Sequence, residues 1–350
     1  MNRFAQFLKR ERLYILLLIF VVLIGSAVAV SNKAAHKNTA DKAKVESKAN
    51  ARDLDLERQA IEKALLENKS LAVIFTVMSL LILAVLLLGF AIDAILLARR
   101  AAGKTVDIRT RGLGTVKWGL WDVSKVVILI LFFSYMAVII ESLLAKTLPL
   151  IKSDDFRTVF NSAIMDGLII IFVIYFTVNQ YKEKLTSLGL AVKNFFRNVF
   201  YGVVGYIATL PILFAALILT ALVINFFKYV PKEQFVVEVF MRHNNPAFLL
   251  YMSIFAAIAG PIVEELFFRG FMYTAVRKYI GVFWATLITA SLFAALHAHA
   301  IGFFPIMILG IILAYLYEKT GTLVSSMVMH MMHNFSMIAL VFLMKAVKGI

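Results

Sequence analysis

The residues able to do chemistry in this 350-residue chain gather near its C-terminal end, in three short stretches that interrupt apolar runs. "GPIVEELFFRG" (260–270) sets Glu264, Glu265 and Arg269 among Phe, Leu and Ile. "SLFAALHAHA" (291–300) places Phe293 and His297 four apart, and "MVMHMMHNFS" (327–336) does the same with His330 and Asn334. A charge near the bilayer centre costs about 2.5–3.5 kcal/mol even on a lenient scale, so charges in such runs need a partner or a purpose. Glu265 and Arg269 stand four apart with the acid first, the favoured order for an ion pair on one helix face. Glu264, a step of about 100° further round an ideal helix, has no partner in the same stretch. A carboxylate left over in this way is a candidate general base.

Depth must match if these groups are to meet. His297 follows Glu264 by 33 residues, and His330 follows His297 by 33. The first interval suits an antiparallel hairpin whose midpoint falls near Tyr279 to Gly281. The second holds a short apolar run from Phe303 to Tyr317 and the "EKTGT" turn. His330 then lies about 12 Å beyond that turn at the helical rise. Glu264, His297, His330 and Asn334 are thus expected to converge in one half of the membrane. A single histidine in such a helix is most often an interhelical hydrogen-bonding partner; four groups at one depth, one of them an acid, point instead to a site. His299 and His333 are second-rank candidates.

The elements that carry these stretches are membrane helices. Hydrophobic residues make up 61% of the chain, with a mean hydropathy of +0.86, against roughly 45–50% apolar in soluble domains. Apolar runs begin near Leu13, Leu71, Val126, Ala163, Val203, Phe248, Val282, Phe303 and Leu323. The expected fold is all-α, a polytopic helical bundle with eight or nine transmembrane helices. Residues 1–70 read as an N-terminal anchor plus a polar extramembrane segment, 71–179 as additional transmembrane helices, and 180–345 as the core bearing the site. Ala27-Val28-Ala29 has the form of a signal-peptide cleavage site, but the 18-residue run from Leu13 to Val30 reads as a retained anchor. Within the polar segment, "DLDLERQAIEKALLENKS" (53–70) reads as a solvated helix leading into the second span. Glu141 and Asp166 lie on neighbouring spans and are expected to pair with basic residues at span ends.

The formal charge is +15. Basic balance in a membrane chain reflects loops held at an anionic cytoplasmic surface. With the 31–70 segment set aside, an N-terminus-inside arrangement puts 18 Lys and Arg on the cytoplasmic side and 8 opposite. That orientation is the expectation. There is no cysteine, which excludes disulfides, thiolate metal sites and a cysteine nucleophile. No basic–aromatic module points to nucleic acid, and nothing in the sequence reads on oligomeric state.

The three motifs, E-E-x-x-x-R, F-x-x-x-H and H-x-x-x-N, together resemble the CAAX protease and bacteriocin-processing family of intramembrane endopeptidases, related to the type II CAAX prenyl proteases. Pro261 before the acids, Phe268-Arg269-Gly270 after them, and Thr320-Gly321-Thr322-Leu323 ahead of His330 add to the likeness. It covers roughly residues 180–345; the first 120 residues lie outside it. The resemblance implies a bacterial cytoplasmic-membrane endopeptidase acting on a membrane-embedded or lipid-associated peptide. It implies Glu264 as the base that activates water, His297 as the residue that orients that water, and His330 and Asn334 as oxyanion donors. Glu265 and Arg269 would hold the site together. A metal version places zinc on Glu264, His297 and His330, a ligand set known from catalytic zinc sites; the water-only version is preferred, since there is no H-E-x-x-H. Two rivals come from other classes. Buried Glu and His also serve transporters and proton relays, although no second copy of the E-E-x-x-x-R helix is present. A non-catalytic member acting as a scaffold would keep the fold without the reaction.

Overall fold

The computed structural model describes residues 3–37, 59, 62–104, 108, 112–144, 154–227, 235–297 and 301–348. Among these residues there are helices and no strands, and eight helices are long and apolar enough to cross a membrane. The all-α membrane bundle read from the sequence is the fold observed. In hydrocarbon every backbone polar group must be satisfied within its own segment, which leaves helices as the default for such a sequence. One of the eight, Pro246–Leu296, joins the two runs expected to begin near Phe248 and Val282. It does not continue straight. Gly281 has φ 77° and ψ 177°, a conformation open to glycine that breaks the helix into two arms. The hairpin midpoint expected at Tyr279 to Gly281 falls on this residue.

Contacts group the chain into two compact units that interleave along the sequence. The first takes Met1–Ala49 with Lys117–Glu183. Its described helices are Arg3–Arg10, Arg12–Lys37, Leu120–Leu144 and Asp154–Ile174, the last running on as a π-helix over Tyr175–Gln180. The pairing expected of Glu141 is present: it accepts a hydrogen bond from Asn161 Nδ2 at 2.8 Å and lies 3.7 Å from Arg157 Nε.

The second unit takes Asn50–Val116 with Lys184–Ile350. Residues 62–67 are helical, with an exposed Lys63–Glu67 pair at 3.7 Å. Asn68 then caps the Lys69–Ala101 span by accepting from the Leu71 N–H. This agrees with the solvated helix expected there; residues 53–58, 60 and 61 of that stretch lie outside the described residues. The unit's core packs Tyr206 and Leu213 of Phe195–Phe227 against Leu309, Leu313 and Leu316 of Phe303–Thr320 and Met329 of Leu323–Lys348.

The turn that feeds the last helix is fixed from both sides. Gly321 (φ 68°) ends Phe303–Thr320 as a left-handed cap, its N–H donating to the Tyr317 carbonyl at 2.8 Å. Leu323 N–H donates to the Gly189 carbonyl (2.9 Å), Thr322 Oγ1 to Ala191 (3.2 Å) and Tyr317 O–H to Leu188 (3.1 Å). The Thr320–Leu323 sequence thus docks on the 188–191 segment, which sets where His330 begins its helical climb.

Candidate active site

The Pro246–Gly281 arm is not a uniform α-helix. Two stretches adopt the wider π form, Phe255–Ala259 and Leu266–Tyr273, with a short α segment, Gly260–Glu265, between them. Single π turns inside α-helices are frequent at functional sites. Glu264 and Glu265 close the α segment, and Arg269 lies in the second π stretch, where every residue is buried.

Glu265 is fully buried, and its Oε1 accepts from Arg269 Nη1 at 2.6 Å. The ion pair expected from their spacing is therefore present. Arg269 uses a second nitrogen as well: Nη2 donates to the Gly310 carbonyl at 3.2 Å, on the neighbouring helix. Gly310 makes this possible, since a Cβ there would lie 3.1 Å from the Ala290 Cβ and hold the helices apart. The guanidinium carbon also sits 4.6 Å from the centre of the Phe293 ring, a cation–π contact in a dry place.

The same Glu265 Oε1 lies 3.1 Å from His330 Nδ1, so a carboxylate on one helix holds an imidazole on another. This link is invisible to within-helix spacing, which pairs Glu265 with Arg269 alone. The other nitrogen of His330, Nε2, lies 3.6 Å from Glu264 Oε2, beyond direct hydrogen-bond reach. That oxygen is buried and accepts no hydrogen bond from the described residues, while about a third of the Glu264 side chain remains exposed.

His297 caps the end of the second arm and is exposed. Its Nδ1 lies 2.8 Å from the Phe293 carbonyl; a carbonyl only accepts, so Nδ1 donates, and in the neutral ring the lone pair is on Nε2. The Phe293 ring stands between the two histidines, 4.7 Å from the ring centre of His297 and 5.6 Å from that of His330. Asn334 Nδ2 donates to the Ala256 carbonyl at 2.8 Å. His333 packs its ring edge-on to Tyr206, with centres 6.2 Å apart; His299 lies outside the described residues. Glu264, Glu265, Arg269 and His330 are thus in direct sequence of contact, with His297 one aromatic ring away and Asn334 tied to the helix that carries Glu264.

Residues 246–336 match the family model for type II CAAX prenyl endopeptidase, Rce1-like. The three motifs that carry the likeness lie within this match, and with them Glu264, His297, His330 and Asn334. The match covers about a quarter of the chain. No curated protein and no solved structure matches the chain. The Rce1-like segment supports a peptide hydrolase, and with the eight apolar helices it makes this an integral multi-pass membrane protein.

Among the described residues no three His, Asp or Glu groups are disposed to hold an ion. Of the set Glu264, His297 and His330, each histidine has its Nδ1 engaged, by the Phe293 carbonyl and by Glu265, which leaves both Nε2 atoms available. No step below runs through a metal.

Proposed function

We propose that the chain is an intramembrane endopeptidase that hydrolyses a peptide bond of a membrane-embedded or lipid-associated substrate with a water activated by Glu264. The observation that carries this reading is the division of labour between adjacent carboxylates. Glu265 has one oxygen held by both Arg269 and His330, whereas Glu264 has no Lys or Arg partner among the described residues and sets a buried, unbonded oxygen beside an imidazole nitrogen. Glu265 and Glu141 also keep one unbonded oxygen, but each has an arginine beside it; Glu264 does not, and a base must keep a lone pair in hand.

Glu264 removes a proton from water, and the resulting hydroxide attacks the scissile carbonyl carbon. The carbonyl oxygen takes the negative charge. His330, its Nδ1 proton held by Glu265, donates to it through Nε2 as the doubly protonated ring, and the second N–H of the Asn334 amide joins it. Such donors act best when fixed before charge appears. Glu264 then passes its proton to the leaving amine. His297, with its lone pair on Nε2, accepts from the water and orients it. Arg269 and Glu265 hold His330 in place. The substrate end of the reaction is set by the bilayer, since the segments flanking the site are apolar.

The N-terminus lies inside in this reading, in the cytoplasmic membrane of a bacterium, and the site opens toward the cytoplasm or between helices. Arg277, Lys278 and Lys319 mark that side. Single cysteines at Lys278 and Lys319 can be labelled cleanly, because the chain has none of its own. An impermeant thiol reagent applied to intact cells should leave both unlabelled and label a cysteine at Ala51. Labelling of Lys319→Cys from outside reverses the orientation. The hydrolysis itself is tested by comparing the membrane proteomes of cells carrying the wild type and Glu264→Gln. A fragment made only by the wild type is expected; identical fragment sets overturn the reading.

A further inference from the structure

We infer that Pro261 is a positioning residue: by lacking an N–H it leaves the Ala256 carbonyl free to hold the amide of Asn334. The inference deepens the reading above and rests on it for its link to catalysis, though not for its geometry. At the end of the π stretch Phe255–Ala259 the Gly260 N–H donates to the Phe255 carbonyl, five residues back. The next carbonyl, Ala256, would take the N–H of residue 261. That residue is proline and has none. In the ordinary α register the donor would be Gly260, whose N–H is already spent on Phe255. Both backbone partners are therefore removed, one by the π turn and one by the proline. A buried carbonyl without a donor is costly in hydrocarbon. Asn334 Nδ2 supplies the donor from another helix, at 2.8 Å.

The consequence for the site is orientational. An amide nitrogen carries two hydrogens. With one bound to Ala256, the Asn334 side chain cannot rotate to present its oxygen there, so the nitrogen and its second hydrogen stay committed to one placement. Glu264 lies two turns further along the helix that owns the carbonyl, and His330 one turn back on the helix that owns the amide. The bond thus fixes the register between the base and the oxyanion donors. Preorganised donors lose their value when free to turn.

The test is a double-substitution cycle on the full chain purified in dodecyl maltoside micelles, read by thermal unfolding and by the rate of formation of the Glu264-dependent fragment in cells, per folded molecule. In Pro261→Ala the Ala256 carbonyl gains a backbone donor, from residue 261 in the π register or from Gly260 in the α register. Its unfolding midpoint should stay level or rise, while fragment formation falls at least severalfold. Asn334→Ala should lower the midpoint by a few degrees in the wild-type background and by less than half as much in the Pro261→Ala background. Asn334→Leu, which keeps bulk without a donor, repeats the measurement if the alanine variant is not recovered. Equal shifts in the two backgrounds overturn the inference. Unequal shifts with no Glu264-dependent fragment in any variant keep the hydrogen-bond assignment and refute the proteolytic reading instead.

Discussion

Both units of this protein bury acids in or beside apolar helices, but they treat them differently. In the first unit Glu11 is 4% exposed; its Oε1 accepts from Arg10 Nε at 2.9 Å and its Oε2 lies 3.0 Å from Lys125 Nζ. Asp122 accepts from the Tyr181 hydroxyl at 2.5 Å and from the Gly119 N–H at 2.9 Å. Glu141 takes the amide of Asn161 and the nearby charge of Arg157. Each of these acids has a donor aimed at it, and no histidine takes part. In the second unit Glu265 is treated the same way, yet its neighbour Glu264 is not. The lesson is that burial of charge is common to both units and does not mark function. What marks it is a carboxylate whose nearest polar neighbour is an imidazole just out of reach.

The largest effect that would sharpen this contrast is on the reaction. Glu264→Gln should reduce formation of the Glu264-dependent fragment by about 10²–10⁴-fold, the range of general base catalysis, with unchanged protein abundance in membranes. Glu141→Gln, measured by the same peptide quantification, should leave fragment formation per folded molecule unaltered. Comparable losses in the two variants would erase the distinction between the units.

Next comes stability at the site. Removing one partner of a buried ion pair costs about 3–5 kcal/mol. Arg269→Ala should therefore lower the yield of folded protein and its unfolding midpoint in detergent. Arg269→Lys should recover only part of the loss, because an ammonium does not reproduce the fork that reaches both Glu265 and the Gly310 carbonyl. Wild-type stability in Arg269→Ala would mean that Glu265 is held by His330 alone.

Much of this was legible in the sequence, and the misses share one cause. Apolar run length gave the spans, and the symmetry of Glu264 and His297 about Gly281 gave the hairpin. The i, i+4 rule found Glu265 with Arg269. That rule works only within a helix, and it could not find Glu265 with His330, Arg269 with Gly310, or Asn334 with Ala256, which all cross between helices. Nor does hydrophobic periodicity register π stretches, because in a run that is apolar on every side no face is distinguished. Pro261 was the one local signal that a backbone carbonyl nearby would need an outside donor. Likewise Lys345, in the final helix, gave no sign that it would be buried, with Nζ donating to the carbonyls of Phe240 and His243 at the end of the Phe235–Arg242 helix.

The smallest expected effect tests the other side of the comparison, that the first unit's acids serve the fold alone. Glu11 lies just outside the first span, at the joint between Arg3–Arg10 and Arg12–Lys37. Burial pushes its carboxyl up, but the hydrogen bond and charge of Lys125, with Arg10, outweigh it and hold the group below its ordinary value of 4.5. A carboxyl depressed on folding contributes stability that is present above its unfolded value and lost as pH falls through its folded one. Glu11→Gln should thus cost about 1–3 kcal/mol near neutral pH, the worth of hydrogen bonds to a charged group. The gap between wild type and variant should hold from pH 8 to pH 5 and close below about pH 4. Thermal unfolding of both proteins in micelles across that range measures it, and fragment formation per folded molecule should not differ between them. A gap that widened on acidification would show Glu11 to be neutral in the folded state. A change in fragment formation would show that an acid with all its partners can still act on the reaction, and the criterion drawn from Glu264 would have to be given up.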